Sequence, residues 1–193
     1  MTLTERETQT YADALALPHY ADFSPGEKYA DLFASLVSER PRASVTVLDA
    51  GCGTGKGMSA LSHLGFMVRG CDLTGSGMSA SIDTDAVDLG VSLWRPIQLW
   101  KGERYDYVYC TDVLEHIPPQ FTMLVVRNLL DACTRGVFLS ISLVPDQFGA
   151  WVGRPLHQSV RRYDEWLVDL RELATVTDSR DLGHAATFML EPR

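Results

Sequence analysis

Apolar residues recur along the chain at two spacings, one helical and one strand-like, and the switches between them divide it. Between Gly26 and Arg40, Tyr29, Leu32, Phe33, Leu36 and Val37 fall three and four apart, which predicts an amphipathic helix. Ser24 and Pro25 supply its N-cap and first turn, and Pro41 ends it. After Arg42-Ala43-Ser44, the β-branched run Val45-Thr46-Val47-Leu48 predicts a strand that stops at Asp49, where a glycine cluster begins. Met58 to Leu64 continue as helix, and Phe66-Met67-Val68 starts a second strand closing on Gly70-Cys71-Asp72. A weaker apolar segment, Val91 to Trp94, precedes Pro96, and Tyr105 to Thr111 form a third clear strand. Pro118 and Pro119 open a helix on which Phe121, Leu124, Val125, Leu129 and Ala132 share a face. Gly136 then leads into Val137–Leu143, a buried strand ended by Pro145. Strands alternating with helices predict an α/β fold with a parallel sheet.

Beyond Val144 the pattern changes. An irregular stretch reaches Val160, Tyr163, Trp166, Leu167 and Leu170 mark a helix, and Leu173–Thr177 and Ala185–Leu190 suit an antiparallel pair across the turn-rich Asp178–His184. With no repeat, low-complexity tract or linker, the 193 residues read as one domain. Its parts are a helical cap over 1–40, a core over 44–143, and a loop, helix and hairpin over 144–193.

The net charge of −8 and pI near 5.0 repel polyanions, so direct nucleic-acid binding is not expected. Met1-Thr2-Leu3-Thr4-Glu5-Arg6-Glu7 carries no cationic segment followed by an apolar run, and no membrane-length apolar stretch occurs; the chain reads as cytoplasmic. Cys52, Cys71, Cys110 and Cys133 form no Cys-x-x-Cys pair and stand at no zinc-ligand spacing. Four buried thiols are expected, and no metal.

The chemistry concentrates in Val47-Leu48-Asp49-Ala50-Gly51-Cys52-Gly53-Thr54-Gly55-Lys56-Gly57, a strand running through glycines into a helix. Such a turn lets a ligand touch the main chain and offers it unpaired helix N–H groups. A nucleotide-hydrolysing P-loop aligned on Gly55-Lys56 fails at Ala50 and Gly57, where it needs glycine and a hydroxyl. The glycines alternate rather than following Gly-x-Gly-x-x-Gly, and Asp49 before them would repel a pyrophosphate but suits an ammonium group.

Asp49-Ala50-Gly51-Cys52-Gly53-Thr54-Gly55 resembles the first motif of class I S-adenosylmethionine-dependent methyltransferases. The resemblance implies a doubly wound, three-layer α/β fold whose seven-stranded, mostly parallel sheet has its last strand antiparallel. It also implies that the glycine loop wraps the methionine portion of the cofactor. Asp72, about twenty residues on at the end of the second strand, stands where such folds hold ribose hydroxyls, with Leu73 beside it. Leu93 and Trp94 lie where the family holds the adenine between apolar side chains. Tyr105-Asp106-Tyr107-Val108-Tyr109-Cys110-Thr111-Asp112-Val113-Leu114-Glu115-His116 is similar to the family's fourth-strand segment, which would bring Thr111 and Asp112 to the meeting point of cofactor and acceptor.

The resemblance implies methyl transfer, with S-adenosylhomocysteine as product, to an oxygen or nitrogen of a small-molecule acceptor. A cofactor-binding regulatory module without catalysis is the alternative from another class, and a polymer target reached through a partner is a third. Candidate bases are Glu115, His116 and His157, the imidazoles because they titrate near neutrality. Tyr11, His19, Tyr20, Phe23 and Tyr29 are candidates for an aromatic lid. The motifs that hold a flipped DNA base are missing: Val113-Leu114 stands where Pro-Pro would, and Cys110 follows Tyr109 rather than a proline.

Overall fold

The structure, a computed structural model, describes residues 1–17, 25–38, 41–97 and 102–193. One sheet holds β1 (Thr46–Ala50), β2 (Met67–Asp72), β3 (Val87–Leu89), β4 (Tyr105–Thr111), β5 (Cys133–Ser142), β6 (Thr175–Asp181) and β7 (Ala185–Glu191). Their spatial order is β3-β2-β1-β4-β5-β7-β6. Strands β1 to β5 pair in parallel, and β7 runs antiparallel to both β5 and β6. The seven-stranded sheet with its last strand reversed is therefore as expected.

Helices cover both faces because alternate residues of the central strands point to opposite sides. Val47, Tyr107, Tyr109 and Phe138 join Tyr29, Phe33 and Val37 of the segment around α2 (Pro25–Leu36) and Leu61 of α3 (Lys56–His63). Phe33 sits at the centre, its ring 5.4 Å from those of Phe66 and Tyr109. On the other face Leu48, Val108, Cys110 and Leu139 meet Val125, Val126 and Leu129 of α4 (Thr122–Asp131) and Trp166 and Leu170 of α6 (Tyr163–Leu173). The short α5 (Gly149–Val152) lies in the connection after β5. Among the described residues no helix is long and apolar enough to cross a membrane.

The boundaries differ from expectation in three places. The third strand is Val87–Leu89, so Val91–Trp94 is the loop after it. It is short and its second and third residues are exposed, so no strand-like alternation marks it. Strand β6 runs on to Asp181, through most of the expected loop, because its polar residues face outward on a sheet edge. Helix α1, Leu3–Leu15, lies within the expected helical cap. Its signal is a capping box: the Glu5 N–H donates to Thr2 Oγ1 (3.2 Å) and the Thr2 N–H donates to Glu5 Oε2 (2.7 Å). Helix α2 ends at Leu36, short of Arg40, while Ser24, Arg40 and the lid candidates His19, Tyr20 and Phe23 lie outside the described residues.

Strand order reverses at β1, whose successor β2 lies on one side and β4 on the other. Open α/β sheets bind ligands at such a switch point, outside the carboxyl ends of the strands. Asp49 pairs in register with Gly70 of β2 and Tyr109 of β4, so the loops after all three strands share one rim.

Candidate active site

At the end of β1 the chain turns through Gly51 (φ +81°), whose N–H and that of Cys52 donate to the Cys71 carbonyl (2.8 and 3.1 Å). A side chain at position 51 would collide with Val113 in addition to adopting a left-handed backbone. The turn continues to Gly55, the N-cap of α3. Gly57, the second residue of the helix, is small for a different reason: a Cβ there would stand 2.8 Å from Asp49 Oδ2. The glycines thus fold the loop back and leave room for a carboxylate beneath the helix start.

A cleft opens here, with an empty volume of about 1000 Å³ including its mouth. On the β1 and β2 side its lining includes Asp49, Gly51, Cys52, Gly53, Thr54, Asp72 and Leu73, and beyond the third strand Val91, Leu93 and Trp94. Thr111, Asp112 and His116 line the β4 side. All of these except Val91 are residues read from the sequence as binding or catalytic candidates. Gly55 does not line the cleft; it faces Ile82 and sets the helix start. Glu115 and His157 do not line this cleft. Glu7, Tyr11 and Leu15 of α1 line the cleft as well.

The lining is acidic. Glu7, Asp49, Asp72 and Asp112 contribute carboxylates, and among the described residues no Lys or Arg lines the cleft. Glu7 is buried and paired with Arg154, whose Nη1 and Nη2 stand 3.2 and 2.5 Å from its oxygens; this pair ties α1 to the segment after α5. Asp72 accepts the Gly53 N–H (2.9 Å) and the Thr74 N–H (3.1 Å). Burial raises its pKa, and the N–H groups around it act in the opposite sense. Asp49 is 3% exposed. Burial first and the charge of Asp72 second push its pKa up to about 7, against the Met58 N–H, which stabilises the carboxylate. A buried acid beside a half-buried one in a cleft suits a ligand that brings positive charge.

Asp112 is the one non-glycine residue at positive φ (58°) among the described residues, a strained backbone common at functional sites. Its N–H donates to the Ser140 carbonyl (2.9 Å). The 3₁₀ turn Leu114–His116 follows. Glu115 is fully buried; its Oε1 accepts the Ser142 N–H (2.7 Å), while Oε2 has no N–H donor. Burial, then the charge of Asp112 and a hydrogen bond shared between the two carboxyl groups, hold its pKa well above the usual carboxylate range. His116 Nδ1 lies 3.2 Å from the Leu156 carbonyl, and burial pulls its pKa down to about 4. That carbonyl is only an acceptor, so Nδ1 carries the hydrogen and Nε2 is left with a lone pair. His157 repeats the arrangement, with Nδ1 2.7 Å from the Val144 carbonyl. The two imidazoles meet edge to face at 4.7 Å, although forty-one positions separate them in sequence. Backbone bonds carry this: the Gln158 and Ser159 N–H groups both donate to the Glu115 carbonyl (2.7 and 2.8 Å).

The family model described as a methyltransferase domain matches residues 19–187. The magnesium protoporphyrin IX methyltransferase of Arabidopsis thaliana is 30% identical over 112 residues, covering 55% of this chain and 36% of that protein. The magnesium-protoporphyrin O-methyltransferase of Synechocystis sp. is 25% identical over 151 residues, covering 72% of this chain and 65% of that one. This chain therefore spans less than two thirds of either relative. Among solved structures, Burkholderia thailandensis 1,6-didemethyltoxoflavin-N1-methyltransferase with bound S-adenosylhomocysteine superposes with a TM-score of 0.71 at 17% identity, over 98% of this chain and 87% of that one. At that identity the likeness is one of fold.

Proposed function

Because this chain belongs to the methyltransferase-domain family, we propose that it transfers the methyl group of S-adenosylmethionine to an oxygen or nitrogen of a small-molecule acceptor. The observation that carries this reading is the acid-lined cleft at the switch point, with four carboxylates and no Lys or Arg among the described lining residues. That lining opposes a pyrophosphate and matches a ligand bearing an ammonium group and a sulfonium.

When bound, S-adenosylmethionine would supply an electrophilic methyl carbon on a sulfonium leaving group, and an acceptor hydroxyl or amine would give up its proton to solvent or to a neighbouring base. The residues present fit it. Asp72 spends one lone pair per oxygen on the Gly53 and Thr74 N–H groups and keeps others for ribose hydroxyls. Asp49 would meet the ammonium end, Gly51, Cys52, Gly53 and Thr54 would hold the methionine portion, and Gly55 fixes the start of α3. Leu73, Leu93 and Trp94 give the adenosine apolar walls. Thr111 and Asp112 stand where cofactor and acceptor meet. His116 offers the acceptor side a neutral imidazole. At a pKa of about 4 it is a weak base, so the acceleration rests mainly on alignment and exclusion of water.

Residues 1–40 act as the cap of one domain, with Glu7, Tyr11 and Leu15 closing the cleft over the 44–143 core, and residues 144–193 form the acceptor side. The net charge of −8 favours a small acceptor over direct nucleic-acid binding. Four buried free cysteines suit the reducing cytoplasm. The test is incubation with methyl-labelled S-adenosylmethionine and a panel of porphyrin, phenol and amine acceptors, then cell extract. Label in a small-molecule product supports the reading; binding without product from any source would make the chain a regulatory module.

A further inference from the structure

Glu115, His116 and His157 offer one carboxylate oxygen and two imidazole nitrogens that all lie within 4.8 Å of one another. We propose that these three side chains form a binding site for a divalent first-row transition metal ion, set in the wall between the cleft and the segment after β5.

Three observations carry the assignment. The buried Glu115 uses one oxygen on the Ser142 N–H and leaves Oε2 with no N–H donor, and the side chain it meets is a second acid, Asp112, a like-charge contact that a bound cation would relieve. Each histidine has Nδ1 against a backbone carbonyl, Leu156 for His116 and Val144 for His157. That is the support metal-ligating histidines commonly have: it fixes the tautomer and leaves Nε2 to ligate. The backbone is also built to hold the trio, since the Glu115 carbonyl accepts both the Gln158 and Ser159 N–H groups, and Gln158 Nε2 donates to the His116 carbonyl at 2.9 Å. Donors on one such ion stand at most about 4.4 Å apart, twice a bond length of about 2.2 Å. A contraction of a few tenths of an ångström suffices.

Two imidazoles with one carboxylate favour a transition ion over magnesium or calcium, which prefer all-oxygen shells. Three protein ligands also leave coordination positions open. His116 and Asp112 both line the cleft, so those positions have an outlet on the side where the acceptor would sit. An oxygen-bearing acceptor, a hydroxyl or carboxylate compound, is the class such an ion would hold. This last step rests on the methyltransferase reading; the ion site itself does not.

The experiment is titration of the full chain, stripped with EDTA, with manganese(II) chloride, following the loss of the free Mn²⁺ paramagnetic resonance signal. One saturable Mn²⁺ per chain is expected, displaced by Co²⁺ but not by equimolar Mg²⁺. Affinity should fall at least 10–100-fold in His157→Ala and Glu115→Gln. His157 does not line the cofactor cleft, so His157→Ala should keep its melting transition and its calorimetric affinity for S-adenosylhomocysteine. It decides the matter if Glu115→Gln does not fold. No saturable uptake, or uptake unchanged in a folded His157→Ala, would overturn the site. S-adenosylhomocysteine binding without Mn²⁺ uptake removes the ion and keeps the methyltransferase reading; Mn²⁺ uptake without S-adenosylhomocysteine binding does the reverse.

Discussion

Replacing Asp49 with Asn removes a charge and keeps the shape of the side chain, so it isolates what the buried carboxylate costs the empty protein. Its pKa moves from 3.8 to about 7 on folding, a displacement equivalent to about 4 kcal/mol between protonation states. Because the native value is the higher one, the folded chain holds a proton that the unfolded chain has already released. Stability from this group is complete below pH 3.8, declines as pH rises, and is lost once pH passes about 7. Asn has no such decline. Ligand-free Asp49→Asn should therefore match the parent near pH 4 and exceed it at pH 8, with about 4 kcal/mol as the ceiling, reduced by whatever water enters the open cleft. The assay is urea unfolding of both proteins from pH 4 to 8; other titrating groups cancel in the difference. The same variant should bind S-adenosylmethionine more weakly at pH 8, having given up its partner for the ammonium group. A variant less stable than the parent at pH 8, or a stability difference that does not change with pH, would refute the reasoning.

Asp72→Ala removes the acceptor of the Gly53 and Thr74 N–H groups as well as the proposed ribose contact. Its affinity for S-adenosylhomocysteine should fall by about 1.5–3 kcal/mol in calorimetry; an unchanged affinity removes it from the site. Gly57→Ala places a Cβ 2.8 Å from Asp49 Oδ2 and should destabilise the chain by about 1–3 kcal/mol in thermal unfolding while weakening cofactor binding. Full stability would mean that the carboxylate moves aside at no cost. Burial raises the pKa of Cys52, Cys71, Cys110 and Cys133, so native thiols should label slowly with a disulfide reagent and all four should react in denaturant. Rapid labelling of the native protein would contradict the packing around them.

The cofactor half of the cleft was legible because its determinants are local. Asp49, the glycines after it and Asp72 have meaning at fixed spacing along one strand–loop–helix–strand unit, and register brings their loops to one rim. The acceptor half depends on distant pairings. Nothing near His157 in sequence shows that Gln158 and Ser159 bond the Glu115 carbonyl, and so the three candidate bases could be named but not seen as a cluster. Glu7 was also unreadable, since an acid in an exposed-looking helix is buried only when Arg154 reaches it. The helix carrying it was not: Thr2 and Glu5 spell its capping box. Strand β3 escaped because three residues on a sheet edge need only one apolar side chain, Val87, to dock.

The central claim is that the acid-lined cleft at the ends of β1 and β2 binds a sulfonium nucleoside. Calorimetric titration of the wild-type chain with S-adenosylmethionine at pH 8 tests it most directly. A single saturable site per chain is expected, with proton release when the titration is repeated near pH 7, as Asp49 loses its proton to meet the cation. A folded protein that gives no heat with S-adenosylmethionine or S-adenosylhomocysteine in any buffer would contradict the account.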